Sequence, residues 1–245
     1  ELIDFLKLFN NRGKIFVLGA GSNILFKDDI FDGVVIKLGK NFSNLSILNK
    51  EIIIAGSGAK DKTLSKFASE NSLGGFEFLS CIPGTVGGGI RMNSGCFNRE
   101  FKDIVLSVQA VDTSGNVITV PRDKIKFSYR KCDLNNNLIF LSASLKGKKE
   151  DKKKIEKEMI FLKSKKDKTQ PTKIKTGGST FKNPIDQTNK KVWELIKSSV
   201  PFDTQFGDAI ISEKHCNFFI NKDKASCSDM KKLINFVQKK VFDTT

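Results

Sequence analysis

The chain has 245 residues, 39% of them apolar, and its 42 Lys and Arg against 27 Asp and Glu give a formal net charge of +15. This length and apolar content allow a packed core and exclude a disordered chain. Five Cys, an odd number without a C-x-x-C pair, argue against a disulfide framework or a zinc ribbon. A single His excludes sites with two or three imidazole ligands, so no metal site is predicted. No apolar run is long enough to span a membrane and no signal-peptide pattern is seen, so we expect a protein of a reducing, cytoplasmic compartment.

The positive charge is concentrated in one stretch. Between Lys146 and Lys175 there are 13 Lys and five acidic residues, a surplus of 8 out of the net 15. Only five basic residues of the chain are Arg, the side chain that pairs in a fork with phosphates and stacks on bases. The Lys excess therefore favours a solvated surface, and an anion-binding face, as in a nucleic-acid binder, is the alternative.

The first half of the chain shows alternating helix and strand patterns. An opening helix is predicted from the apolar stripe Leu2, Phe5, Leu6 and Phe9. A short helix around Leu64 to Ala68 ends at Gly74–Gly75, and Thr113–Asn116 predicts a hairpin turn. Apolar runs predict strands at residues 14–18, 34–38, 52–55, 104–110, 117–120 and 138–145.

The composition changes near residue 150, where an apolar stripe continues as a helix through the Lys-rich stretch. Beyond it we predict a Gly-rich turn at 177–178, a helix at 192–196, a strand at 217–221 and a final helix with apolar residues between 230 and 241. We therefore predict two domains, 1–149 and 150–245. Because the chain begins within one helix and stops straight after another, we expect that strands before residue 1 and a segment after residue 245 are missing.

Glycine marks two candidate ligand-binding segments. Seven of the 19 Gly lie between Gly74 and Gly95, several of them in Cys81–Gly89, and Gly allows backbone N–H groups to approach an anion closely. The second segment, Gly19–Asn23, follows a strand but lacks the third Gly and the long helix of a dinucleotide fingerprint. Together they suggest a long ligand with a pyrophosphate, bound by a non-Rossmann fold. The alternative is a Gly-rich turn that serves packing alone.

Two polar clusters carry candidate chemistry. Beside the only Tyr of the chain stands Arg130, which suggests either carboxylate recognition or a buried ion pair. Ser179, on a Gly-rich turn, is a candidate proton donor, phosphate ligand or helix N-cap. A Ser–His–Asp hydrolase is disfavoured, because no elbow Gly follows Ser179 and the sole His215 would have to be its base. A structural role is favoured for His215.

Five segments stand out along the chain: Gly19–Asn23, Ile82–Gly88, Tyr129–Arg130, Gly178–Pro184 and Ser212–His215. Their order resembles that in the UDP-N-acetylenolpyruvoylglucosamine reductase family, and the resemblance extends over essentially the whole chain. The Pro83–Gly88 segment is typical of the wider group of FAD-binding domains related to vanillyl-alcohol oxidase, and the segment from Gly178 to Pro184 makes the match specific. The spacing is similar to the shorter, second type of the family.

The resemblance implies an α+β fold, with a two-subdomain FAD-binding domain of the vanillyl-alcohol-oxidase/PCMH type and a smaller α+β substrate-binding domain. It also implies a cytoplasmic monomer of peptidoglycan synthesis, and so of cell shape and division. The implied cofactors are non-covalent FAD and NADPH as reductant, and the implied partner is UDP-N-acetylglucosamine enolpyruvate, not nucleic acid. The residues implied for FAD binding are Gly19, Ala20, Gly21, Ser22, Asn23, Pro83, Gly84, Thr85, Gly87, Gly88, Asn93 and Gly95.

The implied reaction gives UDP-N-acetylmuramate, with hydride passing from flavin N5 to C3 of the enolpyruvyl group. Arg130 matches the catalytic Arg of the family and would stabilise the negative charge that develops. Ser179 matches the catalytic Ser and would donate a proton to C2. The positions that match substrate contacts are Tyr129, Lys182 and Asn183.

The chain departs from the family pattern at three places. The catalytic Glu of the family lies beyond the final helix, outside this chain. Cys132 stands where a Ser usually follows the Tyr-Arg pair, and residues 198–207 are atypical, which bears on contacts to the uridine diphosphate. Two rival hypotheses remain, a different FAD oxidase with covalent flavin, disfavoured because the only His lies far along the chain, and a basic nucleic-acid binder.

Overall fold

The computed structural model describes all residues, 1–245, and its contacts divide the chain into two units. Unit 1 comprises residues 1–21 and 31–164, and unit 2 comprises residues 22–30 and 165–245. The predicted domain boundary at 149/150 lies just ahead of the Lys-rich helix, and as a boundary between domains it stays a prediction. None of the helices combines the length and apolar character that crossing a membrane requires.

Unit 1 is built on a five-stranded antiparallel sheet. Its strands, in chain order, are β3 (Leu45–Asn49), β4 (Ile52–Gly56), β8 (Val105–Val111), β9 (Val117–Pro121) and β12 (Ile139–Lys146), and in space they follow the order β3-β4-β12-β8-β9. β12 is the central strand, and four of its eight residues are apolar and buried: Ile139, Phe140, Ala143 and Leu145. The Gly-containing turn predicted at 113–116 joins β8 to β9 in register.

The remaining strands of unit 1 are short and pair two by two. A parallel pair is formed by β1 (Ile15–Val17) and β2 (Val34–Ile36). Antiparallel pairs are formed by β5 (Leu73–Gly74) with β13 (Lys148–Lys149), by β6 (Gly95–Cys96) with β7 (Arg99–Glu100), and by β10 (Phe127–Ser128) with β11 (Lys131–Cys132). The last two are tight hairpins with two-residue turns, which matters for the candidate site.

Four helices begin in unit 1: α1 (Leu2–Phe9), α2 (Asp61–Glu70), α3 (Val86–Arg91) and α4 (Lys152–Thr169). The main core lies between the sheet, α2 and α3, and its fully buried residues include Ile53, Leu64, Val86 and Phe101. The predicted stripe of α1 is confirmed in part: Leu6 is fully buried against Val111 and Ile139, whereas Phe5 is half-exposed and stacks on Phe9.

Unit 2 contains a four-stranded antiparallel sheet and two helices. The strands are β14 (Thr176–Ser179), β15 (Gln205–Phe206), β16 (Ala209–Ile211) and β17 (Phe218–Asn221), in the spatial order β14-β17-β16-β15, and the helices are α5 (Val192–Ser199) and α6 (Cys227–Thr244). Its core packs the apolar faces of both helices on the sheet, with Ile196, Phe219 and Leu233 almost fully buried. Ser226 begins α6 with a capping box, accepting a hydrogen bond from Asp229 N at 3.0 Å.

The structure differs from the sequence patterns at two Gly-rich segments. Gly87, Gly88 and Gly89, for which no helix is predicted, lie in α3, because the Val86 and Gly87 amides donate to Ala59 O and Ser57 O and anchor the first turn. Gly177 and Gly178 lie inside β14 and not in a turn, and the irregularity expected there is a bulge between Thr176 and Ser179.

Candidate active site

Within unit 1, the Gly-rich residues 19–21 and 84–88 meet at the hydroxyl of Thr85. A β-carbon at Gly19 would lie 2.6 Å from Thr85 Oγ1, and one at Gly88 would lie 3.5 Å from the same atom. Gly21 has a φ of +73°, in the left-handed region that favours Gly. The sequence predicts these segments as two separate ligand-binding candidates. In the fold, residues 19–21 and 84–88 lie next to each other.

Backbone donors on these turns lack partners within the chain. None of the N–H groups of residues 19–23 donates a hydrogen bond to a protein acceptor, and neither do those of Gly84, Thr85 and Gly88. In contrast, the Gly87 amide donates a hydrogen bond to Ser57 O at 2.9 Å. Gly87 therefore serves packing, whereas most of the other predicted residues keep a donor free for an anion.

A buried carboxyl lies directly behind the second turn. A β-carbon at Gly84 would lie 2.6 Å from Asp61 Oδ2, so any residue other than Gly would require the Asp61 carboxyl to move. Asp61 is 0% exposed and neither of its carboxyl oxygens has a hydrogen-bond partner. Burial raises the pKa of Asp61 to about 8. No local signal in the sequence distinguishes this residue from an ordinary acidic residue in the first turn of a helix.

Arg130 occupies the turn of the β10/β11 hairpin and is held by the other hairpin, β6/β7. Its Nη2 donates to Gly95 O at 2.8 Å, and its Nη1 lies 3.4 Å from Glu100 Oε1. The guanidinium also lies 5.1 Å from the centre of the Tyr129 ring. Of the two interpretations of this Arg, the structure shows an ion pair, though not a fully buried one, because the Arg130 side chain keeps 31% exposure. Carboxylate recognition stays a prediction.

The Asn93 side chain connects the same two hairpins. It is 0% exposed, its Nδ2 donates to Glu100 Oε2 at 2.9 Å and to Ser128 O at 3.0 Å, and its Oδ1 accepts from Lys102 N at 3.0 Å. All the polar atoms of this side chain are thus occupied by protein partners. The assignment of Asn93 to the cofactor stays a prediction, and the structure gives its side chain a structural task.

Ser179 ends β14 in unit 2 and is exposed. It pairs with Phe218 across the sheet, and its hydroxyl makes no hydrogen bond within the chain. The N-cap alternative is wrong, because the next helix, α5, begins only at Val192. A hydroxyl with no internal partner is available to a ligand, as a proton donor or a phosphate ligand requires.

The backbone beyond Ser179 is fixed by Asn217. The Phe181 amide donates to Asn217 Oδ1 at 2.9 Å, and Asn217 Nδ2 donates back to Phe181 O at 3.0 Å. Asn183 Oδ1 accepts from Val192 N at 3.0 Å and so satisfies a free donor of the first turn of α5. Lys182 is exposed. Substrate contacts of Lys182 and Asn183, like those of Tyr129, stay predictions.

His215 has the surroundings of a structural residue. Its ring packs edge-on against Phe218 at 4.9 Å between centroids, and its Nδ1 lies 3.3 Å from the Asn217 amide, which donates to it. Burial lowers the pKa of His215, which favours the neutral ring that accepts this bond. A role as the base of a hydrolase has no geometric support.

These features define the class of protein. Free amide donors on two Gly-rich turns and an Arg held at a hairpin accompany a match of residues 1–121 to the family model of an FAD binding domain. The chain is an FAD-containing oxidoreductase. Residues 170–245 match the model of the UDP-N-acetylenolpyruvoylglucosamine reductase C-terminal domain.

Similarity to whole reductases narrows the class to one family. The UDP-N-acetylenolpyruvoylglucosamine reductase of Pelagibacter ubique (strain HTCC1062) is 65% identical over 238 residues, which are 97% of this chain and 79% of that protein. The reductase of Rickettsia massiliae is 43% identical over 99% of this chain and 81% of its own length. The crystal structure of the reductase from Thermus caldophilus superposes with a TM-score of 0.86 at 30% identity, over 97% of this chain and 85% of that one. The chain therefore belongs to the UDP-N-acetylenolpyruvoylglucosamine reductase family, and its place is in cell-wall peptidoglycan synthesis.

The family and the predicted α+β fold are thus confirmed, and the residues of unit 1 fit FAD. A dinucleotide carries two linked phosphates, and the free amides of residues 19–21 and of Gly84, Thr85 and Gly88 are donors of the kind that phosphates accept from. Ser22 and Asn23 belong to unit 2, their amides likewise make no hydrogen bond within the chain, and their assignment to the cofactor stays a prediction.

Proposed function

We propose that the protein reduces UDP-N-acetylglucosamine enolpyruvate to UDP-N-acetylmuramate with electrons from NADPH. FAD, when bound, supplies the hydride chemistry at C3 of the enolpyruvyl group. The observation that supports the substrate most directly is the similarity, over 97% of the chain, to a reductase that is named for this substrate. The cytoplasmic location and the monomeric state remain parts of the proposal.

In this proposal Arg130 stabilises negative charge on the substrate. Addition of hydride at C3 leaves carbanion character at C2, which the adjacent carboxylate delocalises. A guanidinium fixed by Gly95 O and Glu100 can stabilise this charge with little reorganisation. Its remaining exposed fraction of 31% is the part that a ligand can reach.

Ser179 donates the proton that completes the reduction at C2. Its hydroxyl is exposed and makes no competing hydrogen bond in the chain, so the proton is not committed to a protein acceptor. A hydroxyl is a weak acid, and the transfer is effective only toward a strongly basic centre such as the C2 carbanion. Asn217, which fixes Phe181 two residues further on, supports the position of this strand end.

The two half-reactions test the proposal separately. Anaerobic flavin bleaching by NADPH measures the first, and recovery of flavin absorbance on addition of the enolpyruvyl substrate measures the second. We expect Ser179→Ala to be bleached at the parent rate and to recover at least about 100-fold more slowly. Ser46→Ala, at an exposed strand position of unit 1, is the control and should behave as the parent.

Three results would contradict parts of this proposal. Colourless protein with salt-sensitive RNA binding would favour the nucleic-acid alternative. NADPH oxidation that is unchanged by the enolpyruvyl substrate would refute the substrate. Equal loss of both half-reactions in Ser179→Ala would refute the proton-donor role.

A further inference from the structure

Glu100 is the centre of a polar cluster that includes the Arg130 guanidinium. Its Oε1 lies 3.4 Å from Arg130 Nη1, and its Oε2 accepts from Asn93 Nδ2 at 2.9 Å and from Lys102 Nζ at 2.8 Å. The Glu100 side chain is only 16% exposed. Charge-assisted contacts in such a partly dehydrated setting are stronger than surface ion pairs and restrict the groups that make them.

The backbone around Glu100 is fixed as well. Glu100 lies opposite Gly95 in the β6/β7 hairpin, and these two residues provide both of the Arg130 contacts described above. Asn93 joins this hairpin to Ser128 O, two residues before Arg130. The carboxylate is thereby held at a set distance from the turn that carries the Arg.

Arg130 needs such support because its backbone is strained. Its φ is +55°, in the left-handed region that costs free energy for residues other than Gly. A turn residue with a long side chain would otherwise sample many rotamers. The ion pair with Glu100 and the bond to Gly95 O select one arrangement of backbone and guanidinium together.

We infer that Glu100 is a positioning residue of the reduction, which holds the Arg130 guanidinium in the orientation that charge stabilisation requires. The inference rests on the proposed role of Arg130. Glu100 acts through Arg130 and has no role of its own in delivering hydride or a proton. Its loss should therefore slow only the half-reaction in which Arg130 takes part.

Glu100→Gln tests this, since it keeps the size of the side chain and removes its charge. We expect normal FAD retention, bleaching by NADPH at the parent rate, and recovery with the enolpyruvyl substrate slower by about 10- to 100-fold. Glu77→Gln, which neutralises another partly buried Glu of unit 1, is the matched control and should recover at the parent rate. Glu100→Asp keeps the charge with a shorter reach, so its recovery rate should fall between those of the parent and Glu100→Gln. If Glu100→Gln loses FAD, Glu100→Asp is used for the test instead.

A double-mutant cycle separates positioning from structural support. In an Arg130→Ala background, Glu100→Gln should change the recovery rate by less than about 2-fold, because the group that it positions is gone. An undiminished effect in that background, or equal slowing of bleaching and recovery in Glu100→Gln, would overturn the inference. If Arg130→Ala itself recovers at the parent rate, the proposed role of Arg130 is refuted, and with it the inference on Glu100. If Arg130→Ala is slow and Glu100→Gln is as fast as the parent, only the positioning role fails.

Discussion

The side-chain amide of Asn217 binds the backbone of Phe181 through two hydrogen bonds, one accepted by Oδ1 at 2.9 Å and one donated by Nδ2 at 3.0 Å. Asn217 is 3% exposed and directly precedes β17, and the Thr180 amide donates to its backbone oxygen at 2.8 Å. The segment that follows Ser179 is therefore bound to one residue by three hydrogen bonds. This is how the fold converts an exposed strand end into a fixed one.

Asn217→Asp should be destabilising and should slow substrate-dependent flavin recovery. The change removes the Nδ2 donor and sets a buried carboxylate oxygen against Phe181 O, which costs about 2–3 kcal/mol in unfolding free energy. Asn49→Asp is the control, because Asn49 is exposed and its Oδ1 only accepts, from Glu51 N and Ile52 N, which Asp also does. Chemical unfolding of both variants measures the difference, and equal stabilities would contradict the structural role of the Asn217 amide.

Gly95→Ala should disrupt the β6/β7 hairpin. A β-carbon there would lie 2.1 Å from Arg99 O and 2.8 Å from Glu100 Cα, contacts that only backbone movement can relieve. We expect a loss of at least about 2 kcal/mol, or roughly 4 °C or more in the unfolding midpoint of a chain of this size. Gly39→Ala, with no atom within 4 Å of the new β-carbon, should stay within about 1 kcal/mol of the parent. A midpoint for Gly95→Ala equal to that of Gly39→Ala would show that the hairpin adapts without cost.

Arg91→Lys should be destabilising although it conserves the charge. The Arg91 guanidinium donates to Leu134 O at 2.6 Å, Leu138 O at 2.7 Å and Asn135 O at 3.2 Å, and it lies 4.0 Å from the centre of the Phe140 ring. Lys cannot present a planar fork to three carbonyls and a ring, so we expect a cost of about 1–3 kcal/mol. Arg99→Lys, at a half-exposed ion pair, should cost no more than about 0.5 kcal/mol. Thermal unfolding of the two variants gives the comparison, and similar midpoints would argue against the clamp.

The elements that sequence patterns predicted are those whose signal is local. The apolar stripe of α6 and the apolar runs of β8 and β12 extend over many residues, so local pattern and final structure agree there. α3 escaped prediction because three consecutive Gly have low helix propensity. Its helix is imposed by tertiary contacts, since Gly89 packs so closely on Phe101 that a β-carbon would lie 2.2 Å from the ring.

The candidate site shows the same division. Arg130 and Ser179 could be selected from the sequence because a lone Tyr-Arg pair and a Ser after two Gly are visible locally, and the family resemblance assigned their roles. Glu100 and Asn217 could not be selected. Glu100 lies 30 residues before Arg130 in a hairpin that does not pair with the one that carries the Arg, and Asn217 lies 36 residues after Phe181. Only the tertiary fold brings each residue to its partner.

Asp61 should make the stability of the protein fall as the pH rises. Burial raises its pKa from the ordinary value of 3.8 to about 8, so between these values the unfolded chain releases a proton that the folded chain retains. The stability is therefore complete below about pH 4, declines by at most about 1.4 kcal/mol per pH unit, and levels off above about pH 8. Asp61→Asn cannot ionise, and its stability relative to the parent should grow with pH across this window.

Unfolding free energies of the two proteins, measured from pH 5 to 9, give this difference directly. Ser65→Ala removes another buried and unpaired polar group of α2 without removing a titrating one, so its difference from the parent should not depend on pH. A constant difference between Asp61→Asn and the parent would mean that the carboxyl ionises equally in the folded and unfolded chains.

Because Asp61 Oδ2 lies so close to Gly84, the same titration should also weaken FAD binding above about pH 8, where a negative charge behind the turn opposes the phosphates. In Asp61→Asn this loss of FAD affinity should be absent.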